Sequence, residues 1–285
     1  MLERVDARLL IVIGAVLFST GGAAVKGTSL GGWEVACLRS GIAFVAMMLL
    51  IPACRQSWNL RAALVAVTYA ATLILFVQAT KLTTSANAIF LQATAPLYVL
   101  ILAPWLLREP IERRDVGFML AMAVGLVLLF VSAETPTQTA PAPALGNLLG
   151  AASGITWALT LMGLRALARR DGDSSATTAA AMGNLLAFAL CAGFAFPIQE
   201  ISSADWWILL YLGTVQIALA YLLVTYAMAR ITALTASLLI LVEPMLNPVW
   251  SWWLHGETPG ALALVAGALI IAATAWRTLA ARQAV

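Results

Sequence analysis

Charge is what this sequence has least of. Lys, Arg, Asp and Glu make up 10% of its 285 residues while 62% are hydrophobic, against about 25% charged and about 45–50% apolar in soluble domains. Such a chain cannot solvate its own surface, which excludes a soluble globular fold. Histidine is nearly absent: His255 stands alone, so a multi-histidine metal site is excluded and a histidine proton relay is disfavoured. The three cysteines, Cys37, Cys54 and Cys191, are odd in number and lie in or beside apolar runs. They fit neither a disulfide framework nor a metal cluster and read as packing residues. No G-x-x-x-x-G-K-[ST] loop occurs, which argues against an ATP-driven pump. No nucleophile–base pair or repeated filter residue points to an intramembrane enzyme or a channel. No cofactor and no metal is expected, and the net charge of +3 fits basic loops at a membrane surface better than a nucleic-acid partner.

What is present in abundance is long apolar stretches. A bilayer core takes about 20 apolar residues per helix. Breaks at charged, Pro or Gly clusters leave ten candidates, near 9–26, 33–52, 60–80, 84–107, 115–133, 146–168, 175–197, 206–229, 232–254 and 260–280. The opening MLERVDARLL carries no small-residue cleavage signature and reads as the start of a retained first helix. With a cytoplasmic N-terminus, thirteen of the sixteen bases fall inside, and only Lys26, Arg39 and Lys81 fall in the outer half. That positive-inside bias predicts ten spans with both termini cytoplasmic. Trp33, Trp58, Trp105, Trp206, Trp207, Trp252, Trp253 and Trp276 sit near span ends, where amphipathic rings prefer the interface. Trp157 is mid-span.

The longest polar link, Glu134 to Leu145, contains three prolines and no base, as suits an extended external connector. It divides the chain into residues 1–133, a connector 134–145, and residues 146–285. The halves align. A shift of 148 superposes Thr84 on Thr232, Ala88 on Ala236, Pro96 on Pro244 and Glu109 on Glu257; two further residues bring Gly117 to Gly267. A shift of 139 places Phe18 on Trp157 and Lys26 on Arg165. Five spans per half is an odd number, so the second half is inserted upside down. The expected fold is an all-α polytopic membrane protein of ten transmembrane helices, built as two inverted five-helix repeats around a central cavity, an arrangement typical of transporters.

Two stretches carry the chemistry: QATAPLYVLILAPWLLRE from Gln92 to Glu109, and LVEPMLNPVWSWWLHGE from Leu241 to Glu257. Proline in a helix removes a donor and displaces the carbonyl four residues earlier, so Pro96, Pro104, Pro244 and Pro248 are candidate hinges. Glu243 is the one acid near mid-span. A carboxylate there costs about 2.5–3.5 kcal/mol on insertion scales. Three roles are open to it: proton carrier, ligand for a substrate ammonium group, or structural acceptor for neighbouring hydroxyls and amides. Arg39 reads as paired with Glu34, Lys26 as snorkelling outward, and Glu109 and Glu257 as favouring the N-terminus of the helix that follows each. The small-residue run STGGAAVKG, Ser19 to Gly27, lets the first helix pack closely or bend.

A base closing span one (Lys26), an arginine in span two (Arg39) and the paired P…E pattern of spans four and nine resemble the drug/metabolite transporter superfamily, most closely its ten-span exporters with paired EamA domains. The resemblance covers nearly the whole chain. It implies a monomeric exporter in the bacterial inner membrane that moves amino acids or related small metabolites by alternating access, with multidrug or amphipathic-metabolite export as the alternative. It implies a cavity lined by spans 1, 3, 4, 6, 8 and 9, which makes Gln78, Gln92, Tyr98, Trp157, Tyr221, Glu243 and Asn247 the candidate substrate contacts. Amides and aromatic faces with few charges suit zwitterions bearing apolar or aromatic side chains. The family often has an acid at the Glu243 position, which favours a structural or gating role there; proton coupling stays open.

Overall fold

The computed structural model describes residues 5–56, 58–106, 113–132, 135–171, 173–198, 200–228, 230 and 239–282. Arg4, Arg108 and Glu109 lie outside the described residues, as do Thr232 and Ala236 of the repeat alignment. The described residues form helices and no strand. In chain order these are α1 (Ala7–Ser19), α2 (Gly21–Lys26), α3 (Gly32–Leu50), α4 (Leu60–Leu82), α5 (Ser85–Gln92), α6 (Ala95–Leu106), α7 (Arg113–Val131), α8 (Pro143–Asp171) and α9 (Asp173–Ala195). They continue with α10 (Ser203–Leu210), a π-helical stretch Tyr211–Leu219, α11 (Ala220–Met228), α12 (Val242–His255) and α13 (Ala261–Arg282). Eight helical stretches among the described residues are long and apolar enough to cross a membrane, and Asp115–Val131 is a shorter apolar helix. The protein is a multi-pass membrane protein.

Local chemistry sets the ends. Asn59 opens α4 by accepting the Ala62 N–H at 2.9 Å, the N-cap role of a short polar side chain. Ser202 and Asp205 form a reciprocal capping box on α10, satisfying two otherwise orphaned donors. Pro143 stands first in α8, where a missing N–H costs nothing. The last three residues of the Glu134–Leu145 link therefore form the first turn of that helix.

The helices pack in pairs that exchange under a swap of halves. The first span (α1–α2) contacts α11, and α8 contacts α4; the broken fourth span meets α8 through α5, and α12 meets α1; α3 meets α9, α5 meets α12, and α7 meets α13. Small residues and mild hydroxyl bonds make these contacts. Thr72 donates to Thr156, and Thr160 to Thr68, each at 3.0 Å between α4 and α8, bonds worth about 0.6–2 kcal/mol apiece in a membrane. Phe90, Leu91, Phe118, Met122 and Ile270 form the largest apolar core. The exterior is apolar as well: Leu49, Leu60, Leu64, Leu120, Val127 and Phe194 are exposed, and all eight tryptophans expected at span ends are exposed. Continuous exposed apolar surface of this extent is what lipid contact permits and water does not. Cys37, Cys54 and Cys191 are free and buried, packed as expected.

Candidate functional site

Three membrane-spanning stretches are interrupted. The first bends at Thr20, between α1 and α2, within the small-residue run. The fourth breaks at Ala93 and Thr94, and the matching helix of the second half turns at Leu241. Each of these two breaks lies just before its proline, so Pro96 and Pro244 occupy the first turn of α6 and α12, where an absent N–H is tolerated. Pro104 and Pro248 sit inside those helices. The π-helical stretch Tyr211–Leu219 adds a fourth departure from α geometry, and such stretches cluster at functional places.

The bend at Thr20 is held by side chains from elsewhere. Gln216 donates to the Phe18 carbonyl at 3.3 Å, Trp250 to Ser19 Oγ at 2.9 Å, and Thr20 Oγ1 lies 2.7 Å from the Tyr211 hydroxyl. The π-helical stretch thus supplies a donor to one backbone carbonyl at the bend, and it and α12 bond the two hydroxyl side chains there. Deeper in, Ser85 donates to Asn247 Oδ1 at 2.6 Å, joining the two broken helices. Gly22 makes this approach possible: a Cβ there would stand 2.0 Å from Ser85 Oγ and 2.7 Å from Asn247 Oδ1.

At the end of the bundle formed by the α2, α4 and α12 C-termini, charge is concentrated and covered. Lys26 Nζ pairs with Glu257 at 2.9 Å with both side chains 3% exposed, and donates to the Thr83 carbonyl at 2.9 Å and to the Thr139 carbonyl. Glu257 accepts the Ser85 N–H at 2.8 Å. Gly256, at φ +65°, closes α12 in the left-handed region, which turns Glu257 back into the bundle. Beside it Lys81 donates to the carbonyl and hydroxyl of Thr28 at 2.9 Å each. Asp205 accepts from the Ser29 N–H at 2.8 Å and its hydroxyl at 2.6 Å. Asn147 accepts from Thr83 at 2.7 Å, and His255 Nε2 lies 2.8 Å from the Ala23 carbonyl. One ion pair therefore ties the first span, the start of α5, the connector and the α12–α13 link together.

Three expectations are corrected by this geometry. Lys26 does not snorkel outward, because a buried carboxylate waits for it. Glu257 does not serve the N-terminus of the helix that follows it; it serves α5. Glu34 does not pair with Arg39: five residues put the two about 140° apart around a helix, and Glu34 folds back over Gly31. Arg39 is 2% exposed with its Nε unbonded. The sequence hinted at the Lys26–Glu257 pair only by placing both residues at outer span ends.

The seven expected substrate contacts fall into separate neighbourhoods. Trp157 and Tyr221 pack on one core with Tyr69. Gln92 donates to Ser153 at 2.7 Å and the Tyr98 ring lies over Gly154, so both face α8. Asn247 holds Ser85, and its Nδ2 is buried without a partner. Gln78 lies against Gly32, with Nε2 buried and unpaired. Glu243 is partly buried in the first turn of α12 and has no hydroxyl or amide partner among the described residues. A cleft of about 440 Å³ lies elsewhere, between the first span, the π-helical stretch and α12, lined by Thr20, Ala24, Ile208, Tyr211, Trp250 and His255 among others. No cluster of His, Cys, Asp or Glu that could hold a metal occurs among the described residues.

The sequence matches the EamA-like transporter family twice, over residues 7–131 and 144–278. Two proteins of Archaeoglobus fulgidus, each described as an uncharacterized transporter, are 29% identical over 202 residues (68% of this chain, 67% of theirs) and 28% identical over 204 residues (71% of each). One solved crystal structure of a protein superposes with a TM-score of 0.64 over 97% of this chain and 98% of that one, at 22% identity, which shows a shared fold.

Proposed function

Because the chain belongs to the EamA-like transporter family, we propose that it is a secondary transporter exporting amino acids with apolar or aromatic side chains, or related small metabolites, by alternating access. The observation that carries this reading is the meeting of two broken helices, α5–α6 and α12, from corresponding places in the two halves. Discontinuous helices at a repeat interface are where transporters bind solute. The covered Lys26–Glu257 pair closes one end of the bundle, so passage requires a second conformation in which that end opens.

Ten spans in two inverted repeats, residues 1–133 and 146–285, follow from this reading. The packing pairs that exchange between halves support it, as does the placement of thirteen bases on one side. The protein acts as a monomer in the inner membrane with both termini cytoplasmic. Gln78, Gln92, Tyr98, Trp157, Tyr221 and Asn247 contribute polar and aromatic contacts to solute along its path. Glu243, at the start of α12, takes one of the three roles open to it: structural or gating acceptor, carrier of the coupling proton, or ligand for the substrate ammonium group. The Pro96 and Pro244 breaks are the hinges, with Pro104 and Pro248 as secondary flexing points.

Counterflow in proteoliposomes against a panel of amino acids, with and without a proton gradient, tests the proposal. Saturable amino-acid exchange is expected. Exchange of amphipathic drugs without any amino acid would favour the second reading, multidrug export, for which the largely apolar cleft beside Thr20 and Tyr211 speaks.

A further inference from the structure

Arg39 is the most unusual charge in the molecule. It lies within α3, 2% exposed, with Nε buried and unbonded, and it makes no hydrogen bond or ion pair among the described residues. The Tyr69 hydroxyl and the Cys191 thiol lie close enough to act on its charge, and Tyr69 in turn interacts with Asn184, whose Oδ1 is buried and unsatisfied among the described residues. A guanidinium stays charged, and its planar fork matches two oxygens of a carboxylate. Buried charges are otherwise paired, because an uncompensated one is strongly destabilising. Two bases that meet buried carboxylates show that rule: Lys26 has Glu257 at 2.9 Å and Arg277 has Asp115 at 2.6 Å. Arg39 is built into the interior without a carboxylate partner among the described residues.

We propose that Arg39, with Tyr69 near it, binds the carboxylate of the transported solute. The inference rests on the amino-acid reading above and names its anchor. Tyr69 belongs to the core on which Trp157 and Tyr221 pack, so a solute whose carboxylate reaches Arg39 lays its side chain against an aromatic wall from α4, α8 and the third span of the second half. Tyr69 donates to one carboxylate oxygen while the guanidinium takes the other, and an aromatic or apolar side chain packs against the Trp157 and Tyr221 rings.

The test uses matched triplets: a free amino acid, its amide and the amine lacking the carboxyl group. Each competes in counterflow with the unaltered protein in proteoliposomes, and each is added to detergent-purified protein in a melting experiment. The acid is expected to compete and stabilise at concentrations about tenfold or more below its two analogues, the discrimination of one charge-assisted hydrogen-bonded contact. Arg39→Gln is expected to erase the difference, and Arg39→Lys to keep part of it. Equal competition by acid, amide and amine overturns the inference while the amino-acid reading stands. Simple aromatic carboxylates that stabilise the unaltered protein but not Arg39→Gln, with no amino acid moved, leave the site standing and overturn the reading. Stabilisation by chloride equal to that by carboxylates overturns the carboxylate assignment. If Arg39→Gln does not fold, the triplet series on the unaltered protein decides alone.

Discussion

Replacing Glu257 by Ala isolates the closing ion pair. The substitution leaves Lys26 buried at 3% exposure without its carboxylate partner, and deprives the Ser85 N–H of its acceptor. Breaking a buried pair by removing one member costs about 3–5 kcal/mol, whereas removing both charges is close to neutral. The cost falls on the closed arrangement, because opening returns the ammonium group to water. At about 1.4 kcal/mol per decade, the closed-to-open equilibrium shifts by about 10²-fold at the least. A reporter stands nearby: Ala140 is 1% exposed and follows Thr139, whose carbonyl accepts from Lys26. In a background with the three native cysteines replaced by Ala, Ala140→Cys is expected to react slowly with a membrane-impermeant maleimide added outside. With Glu257→Ala the rate is expected to rise by about two orders of magnitude, following the open population. With Lys26→Met and Glu257→Gln together it returns to within about tenfold of the parent, since both charges are gone. Labelling that is no faster in the single variant, or equally fast in the double, refutes the closing role. Labelling only in inside-out vesicles refutes the orientation instead.

The other predictions follow from separate contacts. Pro96→Ala with Pro244→Ala restores a backbone donor at the start of α6 and α12, and is expected to slow counterflow while folded protein in the membrane is unchanged; equal rates count against the hinges. Glu243→Gln keeps hydrogen-bonding capacity but cannot titrate. Transport that loses its pH dependence identifies a proton carrier, whereas lost affinity for amines with pH dependence intact identifies an ammonium ligand. Gly22→Ala places a Cβ 2.0 Å from Ser85 Oγ, so it is expected to prise the first span from α5 and α12 and lower the melting temperature in detergent. The native thiols are expected to resist maleimide until the protein is unfolded in SDS. Cys54 is buried in the α3–α4 link, where burial pushes its thiol up to about 11 despite the opposing charge of Arg55, so it stays protonated below that pH.

Helix positions and the division into halves were legible in the sequence because both rest on local, repeated signals. Apolar length marks each span, tryptophans mark its ends, and small residues mark the bend that falls at Thr20. The paired prolines marked two broken helices to within three residues. The charged partners were another matter. Lys26 and Glu257 are 231 positions apart in the numbering, and nothing local distinguishes a lysine that snorkels from one that meets a carboxylate. Glu34 stood five residues from Arg39 and looked like a partner, yet helical rotation carries it to another face. The π-helical stretch has no local signature either, since its Gln216 and Tyr211 find partners only in the bend of the first span.

By itself, then, the sequence determined that this chain lives in a bilayer, that it crosses many times, and that its two halves are related. Those properties follow from the free energy of transferring apolar residues out of water, which each segment carries independently of the others. The tertiary structure decided which charges are paired, which end is covered and where a guanidinium is buried without a carboxylate partner among the described residues. Those depend on distances between residues far apart in the chain, which are fixed only when the helices pack.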